Sequence, residues 1–395
     1  MEKATQEQVK THNQRLILKT IYDHGEISRA DIARIINLTE TTISSAVTYL
    51  LKVGLISQSG ARLRMVGKPP ISLSVVDDSR HLIGIDLASR EFRGALINLR
   101  GQIKYRHIIP ISNQRGFTAL KSVYELLDNL IGAAQRSILG IGIGTPGLID
   151  GHEGVIIHAI NLDWQDLPLR KLIQERYNLP VYMANDCQTA ALGEQAFGAN
   201  KNISNLIVIK IGNGIGSGIV INSQLYHGDG FGAGEIGHTK VVEDGEFCRC
   251  GNYGCLETIV SEPALVRFVQ EVAINNIKSP LFQFANRPNE IDIQTVLELA
   301  QAGDKVILGK IREMGELVGK TASFLAGGLN IQKIIIAGSL SHFKEAFIKP
   351  IQERIAHGTF PELARDVRVE ISSLGEDIVT VGAAALLLSN ELGLP

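Results

Sequence analysis

Hydrophobic positions follow two different periods along this chain of 395 residues. Up to Gly54 they recur at helical spacing. In VKTHNQRLILKTIYDHG, Val9, Leu16, Ile17 and Ile21 predict an amphipathic helix that stops at Gly25. The next segment, EISRADIARIINL, sets Ser28 three residues before Asp31 in a capping-box-like start, with Ile32, Ala33, Ile35 and Ile36 as its apolar face. A third helix is predicted in TETTISSAVTYLLKVG, with Ile43, Val47, Leu50 and Leu51 turned inward and a stop at Gly54. LISQSGARLRMVGKPPISLSVV then alternates like a hairpin, with Arg62, Arg64 and Lys68 at its tip.

From about Arg80 the pattern changes to Gly-punctuated, β-branched runs alternating with helical stretches, which predicts an α/β architecture. HLIGIDLASREFRGALINLRGQIKYRHI reads as three consecutive strands, and NLIVIKIGNGIGSGIVINSQLYHG from Asn205 repeats the rhythm. Two meanders, each followed by helices, predict a duplicated actin-like or sugar-kinase fold of two lobes around a cleft. An unrelated doubly wound sheet is the alternative. The expected division is a winged helix-turn-helix over residues 1–76 and a two-lobed body over 77–395.

Charge adds to this division. Through Val76 there are ten Lys/Arg against six Asp/Glu, about +4, so the remainder carries about −6 of the total of −2. Two short helices separated by a tight turn, the second rich in Thr and Ser, read as a DNA-binding helix-turn-helix with the hairpin as its wing. Thr41, Thr42, Ser44 and Ser45 are the candidates for base-edge contact, and Arg15, Arg29, Arg34 and Lys52 for phosphates. A helical protein-binding module with a solvated basic face is the competing reading. No apolar run approaches the roughly 18 residues of a membrane-spanning helix, and the N-terminus lacks the apolar stretch of a signal peptide. A cytoplasmic, nucleoid-associated protein is expected.

Candidate chemistry is concentrated in the body. LGIGIGTPGLID sets Gly144, Pro146 and Gly147 after a buried strand, a turn that allows close approach of a ligand or is simply a turn. LPVYMANDCQTAALGEQAFGA runs from strand to helix with Asn185 and Asp186 at the junction, where they could bind sugar hydroxyls, with Asp186 as a general base, or merely cap the helix. Three of the four cysteines lie at C-x-C-x4-C, and with His238 ten residues upstream they supply four tetrahedral ligands for zinc: His238, Cys248, Cys250 and Cys255. A site with all four positions filled by protein is structural. Such a zinc loop over 238–255 would present Glu235 and Glu257 to the cleft.

Together, GEIGH, CRCGNYGCLE, GIGTPGLID and ANDCQTAALGE resemble the ROK family of bacterial sugar kinases and related repressors. The resemblance runs from about Arg80 to the C-terminus, and the upstream module is similar to that of the family's repressor branch, which includes xylose, glucose-responsive and N-acetylglucosamine repressors. It implies that Asn185, Asp186, Glu235, His238 and Glu257 occupy sugar-binding positions with Gly147 in the turn beside them, and that His238 serves both zinc and sugar.

The departures from the kinase pattern bear on function. Family kinases carry D-x-G-G-T after the first strand, where this chain has Asp86-Leu87-Ala88-Ser89-Arg90, with side chains at positions that phosphate binding needs bare. Gly212 to Gly218 keeps a phosphate-type turn, but the adenosine-side glycines are reduced to Ala337-Gly338-Ser339-Leu340. At the wing, Gly67-Lys68-Pro69 replaces the family's Gly-Arg-Pro, keeping charge but losing the planar fork. The expectation is a non-catalytic, sugar-responsive repressor of carbohydrate genes, with a sugar kinase fused to a DNA-binding module as the alternative. Its expected partners are a palindromic double-stranded operator, a small sugar, further copies of the chain in a homodimer or higher oligomer, and a regulatory protein.

Overall fold

The computed structural model describes residues 5–59, 71–88, 90–111, 114–199, 203–276 and 279–394. The N-terminal helices are α1 (Gln6–His24), α2 (Arg29–Ile36) and α3 (Glu40–Lys52). Each begins on a hydroxyl cap, Thr5, Ser28 or Thr39, whose side chain accepts a backbone N–H that the first turn would otherwise leave unpaired. Strands β1 (Ile27–Ser28), β2 (Ile56–Ser59) and β3 (Ser72–Val75) form a small sheet in the order β1-β3-β2. The described parts of β2 and β3 pair antiparallel, as expected for the two arms of a hairpin. Its tip, with Arg62, Arg64 and Lys68, lies outside the described residues.

Two expected inward positions are corrected. Val9 is 47% and Ile35 is 51% exposed, because the core gathers on Ile17, Leu18, Ile21 and Ile32 instead.

The body repeats one sheet plan. In the first lobe β4 (His81–Leu87), β5 (Glu91–Ile97) and β6 (Ile103–Pro110) form an antiparallel meander, followed by α4 (Gly116–Ala133), β7 (Ile138–Thr145), a small sheet of β8 (Leu148–Asp150), β9 (Val155–Ala159) and β10 (Trp164–Leu167), α5 (Leu169–Tyr177), β11 (Val181–Asn185) and α6 (Asp186–Phe197). In the second, β12 (Leu206–Ile211), β13 (Ile215–Ile221) and β14 (Gln224–Leu225) form the meander, followed by α7 (Leu256–Ile259), α8 (Glu262–Asn275), α9 (Ile293–Gln301), α10 (Lys305–Leu329), β15 (Lys333–Ala337), α11 (Glu345–Ala356), α12 (Pro361–Ala364), β16 (Arg368–Ile371) and α13 (Ile378–Leu392). The sheet orders β11-β7-β4-β5-β6 and β14-β13-β12-β15-β16 are equivalent, with the last two strands of each added parallel. The duplicated plan expected from the two meanders is present.

The period-2 pattern assigns each sheet face. On β12, Ile207, Ile209 and Ile211 join the core under α8, α10 and α11, while Leu206 and Val208 turn to α6 and α13. Helices α6 and α13 therefore lie between the two sheets and contact each other along their length. Glycine makes this contact possible: a Cβ on Gly382 would fall 1.8 Å from the Thr189 carbonyl oxygen, and one on Gly142 of β7 would fall 1.8 Å from that of Ala383.

The same helix reaches the N-terminal module. Leu387 and Leu388 share a continuous core with Ile17, Leu18, Ile21, Val47 and Leu50, joined by Leu82 and Ile97 of the first sheet. Arg15 donates to the carbonyls of Asn390 (2.7 Å) and Glu391 (3.2 Å) at the last turn of α13, where a cation is favoured by the exposed carbonyl end. It is thus removed from the expected phosphate contacts. Arg100 stacks on the Tyr22 ring at 3.8 Å and donates to its carbonyl, while Tyr22 Oη donates to Leu99 O at 3.0 Å. Arg80 Nη2 donates to Val53 O at 2.6 Å.

Gly382→Ala should be destabilising by about 1–3 kcal/mol or more, because backbone must move to admit the methyl group. Gly132→Ala on α4, where nothing lies within 4 Å, should stabilise by about 0.4–1 kcal/mol. Urea denaturation of the two variants checks the pair, and equal midpoints would remove the close-packing argument.

Candidate functional site

Strand β11 runs directly into α6, and its last residue, Asn185, caps that helix. Asn185 Oδ1 accepts from the backbone N–H of Cys187 (2.8 Å) and Gln188 (3.4 Å), while Nδ2 donates to Gly147 O at 3.0 Å. The cap reading of Asn185 therefore holds, and the same side chain ties the helix start to the turn after β7. Gly147 has φ +99°, and a Cβ there would sit 2.2 Å from His158 O, so the turn requires glycine.

Asp186 follows with one oxygen on its neighbour's N–H and the other 2.8 Å from Lys210 Nζ. Burial alone would raise its pKa, but the Lys210 charge and hydrogen bond, with those from Cys187, outweigh burial and hold it below the usual carboxylate range. Burial works against the Lys210 cation, yet Asp186 and then Asp86 raise its pKa on balance.

The opposite wall comes from the second lobe. Glu257 at the start of α7 is held by Ile215 N–H (3.3 Å) and by Arg249 Nη2 (3.4 Å), with only 15% of its side chain exposed. A Cβ on Gly214 would fall 2.4 Å from its Oε2, so the bare turn is what admits this carboxylate. Glu235 retains 42% side-chain exposure yet is recessed in the cleft, and burial, then Asp186 and Glu257, push its pKa up to about 7. Glu235 Oε2 lies 3.9 Å from His238 Nε2. These expected sugar-binding residues thus converge from four segments of the chain.

The other ring nitrogen of His238 faces the cysteines. Cys248 Sγ is 3.6 Å from His238 Nδ1, Cys250 Sγ is 3.6 Å from Cys255 Sγ, and the four ligand atoms all lie within 4.8 Å of one another. Tetrahedral Zn–S bonds of about 2.3 Å require sulfurs about 3.8 Å apart, so the cluster has the spacing of a metal centre. The two short bridges Lys240↔Cys255 and Phe247↔Tyr253 shape the loop. Cys187, the fourth cysteine, lies outside the cluster, and burial raises its thiol well above the usual range.

Two arginines beside the cleft add to the Lys210–Asp186 pair as contacts from lobe to lobe. Arg249, between the first two cysteines, donates to Asn161 Oδ1 as well as to Glu257. Arg90, after β4, pairs with Glu262 at the start of α8, whose own N–H donates to Gly212 O at 2.8 Å. The residues missed from sequence are Lys210, Arg249 and Arg90 as links. The available signal for Lys210 was a lone charge inside the apolar run LIVIKIG.

On α3, Thr41, Ser44 and Ser45 are exposed, whereas Thr42 is half-buried and its Oγ1 lies 2.9 Å from that of the capping Thr39. Tyr49, 45% exposed on the same helix, is an additional polar aromatic that the Thr/Ser pattern concealed. Arg29 is half-buried, and exposed Arg34 pairs with Asp31 at 3.1 Å.

Asp86 at the end of β4 is 5% exposed, and its Oδ1 has no hydrogen-bond partner. Burial, opposed by Lys210 and assisted by Asp186, pushes its pKa up to about 7. The fold thus favours the protonated form, and this contribution to stability is lost as pH rises from the ordinary carboxylate range towards 7. Asp86→Asn should raise the unfolding temperature more at pH 8 than at pH 5; thermal scans at both values test it, and a larger gain at pH 5 would reverse the sign.

Comparison with known proteins covers almost the whole chain. The model of the ROK family matches residues 82–390, and that of the MarR family matches residues 10–59. The xylose repressor of Caldicellulosiruptor bescii is 32% identical over 391 residues, spanning 98% of both chains. A glucokinase of Halalkalibacterium halodurans is 32% identical over 317 residues, covering 79% of this chain and 96% of its own. The solved structure of a ROK family transcriptional regulator, a homolog of the E. coli MLC protein, superposes with a TM-score of 0.85 at 26% identity, covering 98% of each chain.

Proposed function

The chain belongs to the ROK family, and from that premise we propose that it is a sugar-responsive transcriptional repressor whose operator binding is released by a sugar in the interlobe cleft. The observation that carries this reading is continuity of packing. Helix α6, whose start holds Asn185 and Asp186, lies against α13, and α13 shares a core with α1 and α3. A ligand gripped by both lobes favours one arrangement of α6 and α13 over another, and can shift the DNA-binding module only through that difference in affinity.

Residues 1–76 act as the DNA-binding unit and 77–395 as the receptor. Thr41, Ser44 and Ser45 face base edges from α3, while Arg29 and the wing residues Arg62, Arg64 and Lys68 supply phosphate or minor-groove contacts. A homodimer on a palindromic operator fits two-fold readout of successive major grooves. Among the described residues no helix is long and apolar enough to cross a membrane.

In the receptor, Asp186, Glu235 and Glu257 accept from sugar hydroxyls, with His238 Nε2 beside them and Gly147 in the adjoining turn. Zinc held by His238, Cys248, Cys250 and Cys255 would supply a structural cross-link and no open coordination position. The protein is a non-catalytic relative of the family's kinases: Asp186 is committed to Lys210, and Ala88 and Ser89 stand where the first phosphate turn of the kinases has its two glycines.

One zinc per chain is expected by elemental analysis of protein purified without chelator, and Cys250→Ser should lose the metal and weaken sugar binding. Zinc-free, fully folded protein would contradict this assignment.

The functional test is operator titration with and without sugars that raise the unfolding temperature. Sugar should weaken operator binding by about 5- to 150-fold. Glu235→Ala should abolish that response while sparing sugar-free DNA binding. Unchanged operator affinity in the presence of a bound sugar would overturn the repressor-release reading.

A further inference from the structure

The acidic residues of the cleft meet around the start of β13. A Cβ on Gly214 would fall 2.4 Å from Glu257 Oε2. One on Gly216 would fall 2.8 Å from Cys187 Sγ, the neighbour of Asp186, and 3.8 Å from Gly234 O, the neighbour of Glu235. Acidic residues from three segments therefore border one short stretch of chain. The cations beside them are already paired: Lys210 with Asp186 at 2.8 Å, Arg249 with Glu257 at 3.4 Å, and Arg90 with Glu262, whose side chain is only 8% exposed. The glycine turn leading into β13 has the composition of a phosphate cradle, but such a cradle works through free backbone N–H groups. Here Gly212 N–H donates to Gly214 O at 2.8 Å, Ile215 N–H to Glu257 Oε2 at 3.3 Å and Ser217 N–H to Gly234 O at 2.8 Å. Glu262 N–H in turn donates to Gly212 O at 2.8 Å, which seats a further acidic residue against the turn.

We propose that the effector of this cleft is an uncharged, unphosphorylated sugar, and that the site discriminates against phosphate esters of that sugar. The inference rests on the receptor reading of the cleft and adds the chemical class of its ligand. A free hydroxyl donates its O–H to a carboxylate, forming a charge-assisted hydrogen bond. A phosphate dianion offers only acceptors, so esterifying that hydroxyl replaces a donor by like charge. Lys210, Arg249 and Arg90 could meet the phosphate only by leaving Asp186, Glu257 or Glu262, and each departure would strand a carboxylate. The turn cannot replace them, because the N–H groups of Gly212, Ile215 and Ser217 are bonded within the protein.

Calorimetric titration of the full-length chain, purified without chelator and free of DNA, tests this with matched ligands. The probes are D-glucose and N-acetyl-D-glucosamine, each with its 6-phosphate, and D-xylose with its 1-phosphate. The methyl ether or methyl glycoside at the same oxygen serves as an uncharged control for bulk. At least one free sugar should bind, and its phosphate ester should bind at least about tenfold more weakly. The methyl derivative should fall between the two. A phosphate ester that binds as tightly as its parent sugar, or more tightly, would overturn the proposal. So would a methyl derivative rejected as strongly as the phosphate, since bulk and not charge would then decide, and so would a panel in which no free sugar binds. The repressor reading fails on a different observation, a bound sugar that leaves operator affinity unchanged, so the two failures are distinguishable.

Discussion

The close packing of α6 on α13 is the contact on which the arrangement of the whole molecule depends. Gly382 brings the two backbones together at Thr189, Gly142 and Gly84 let α13 settle on the first sheet, and the far end of α13 carries Leu387 and Leu388 into the core of the N-terminal module. Side chains in a packed core cannot deform continuously, so a shift at one end of such a helix pair is passed on as a displacement of packed elements. Arg15 adds a polar clamp at the same end through the carbonyls of Asn390 and Glu391. The DNA-binding module is thus seated on the first lobe and on the helix that lies between the lobes.

The carboxylates around the cleft show a second constraint, the accumulation of like charge. Asp86, Asp186, Glu235 and Glu257 approach one another from different segments, and their repulsion is opposed by Lys210 at Asp186 and Arg249 at Glu257. Those two cations differ in setting. Lys210 is recessed, with 20% side-chain exposure, whereas Arg249 is half-exposed on the cysteine loop and also reaches Asn161 on the facing lobe. The loop that gathers the four metal-type ligands therefore also sets His238 beside Glu235 and Arg249 beside Glu257.

Much of this was legible in sequence where one local rule acts alone. Thr39, Ser28 and Gly25 mark helix ends because caps are local, and the two meanders are visible because strand alternation is local. The cysteine spacing was legible because three thiols and a histidine within one loop have few other uses. Long-range contacts were not. Arg15 had the charge of a phosphate ligand, but its partners are 375 and 376 residues away in sequence, and no local pattern encodes them. Val9 and Ile35 had helical spacing, yet the core formed on neighbouring residues. Lys210 is a lone charge in an apolar run, and its partner Asp186 lies 24 residues away on another element, which no local pattern encodes.

The central claim is that sugar and operator are coupled through this packed connection, and coupling between two binding sites is reciprocal. Calorimetric titration of an effector sugar into the chain, free and saturated with operator DNA, tests that claim most directly. Sugar should bind the DNA-bound form more weakly, by the same factor by which sugar weakens operator binding. The same sugar affinity in both forms would contradict it.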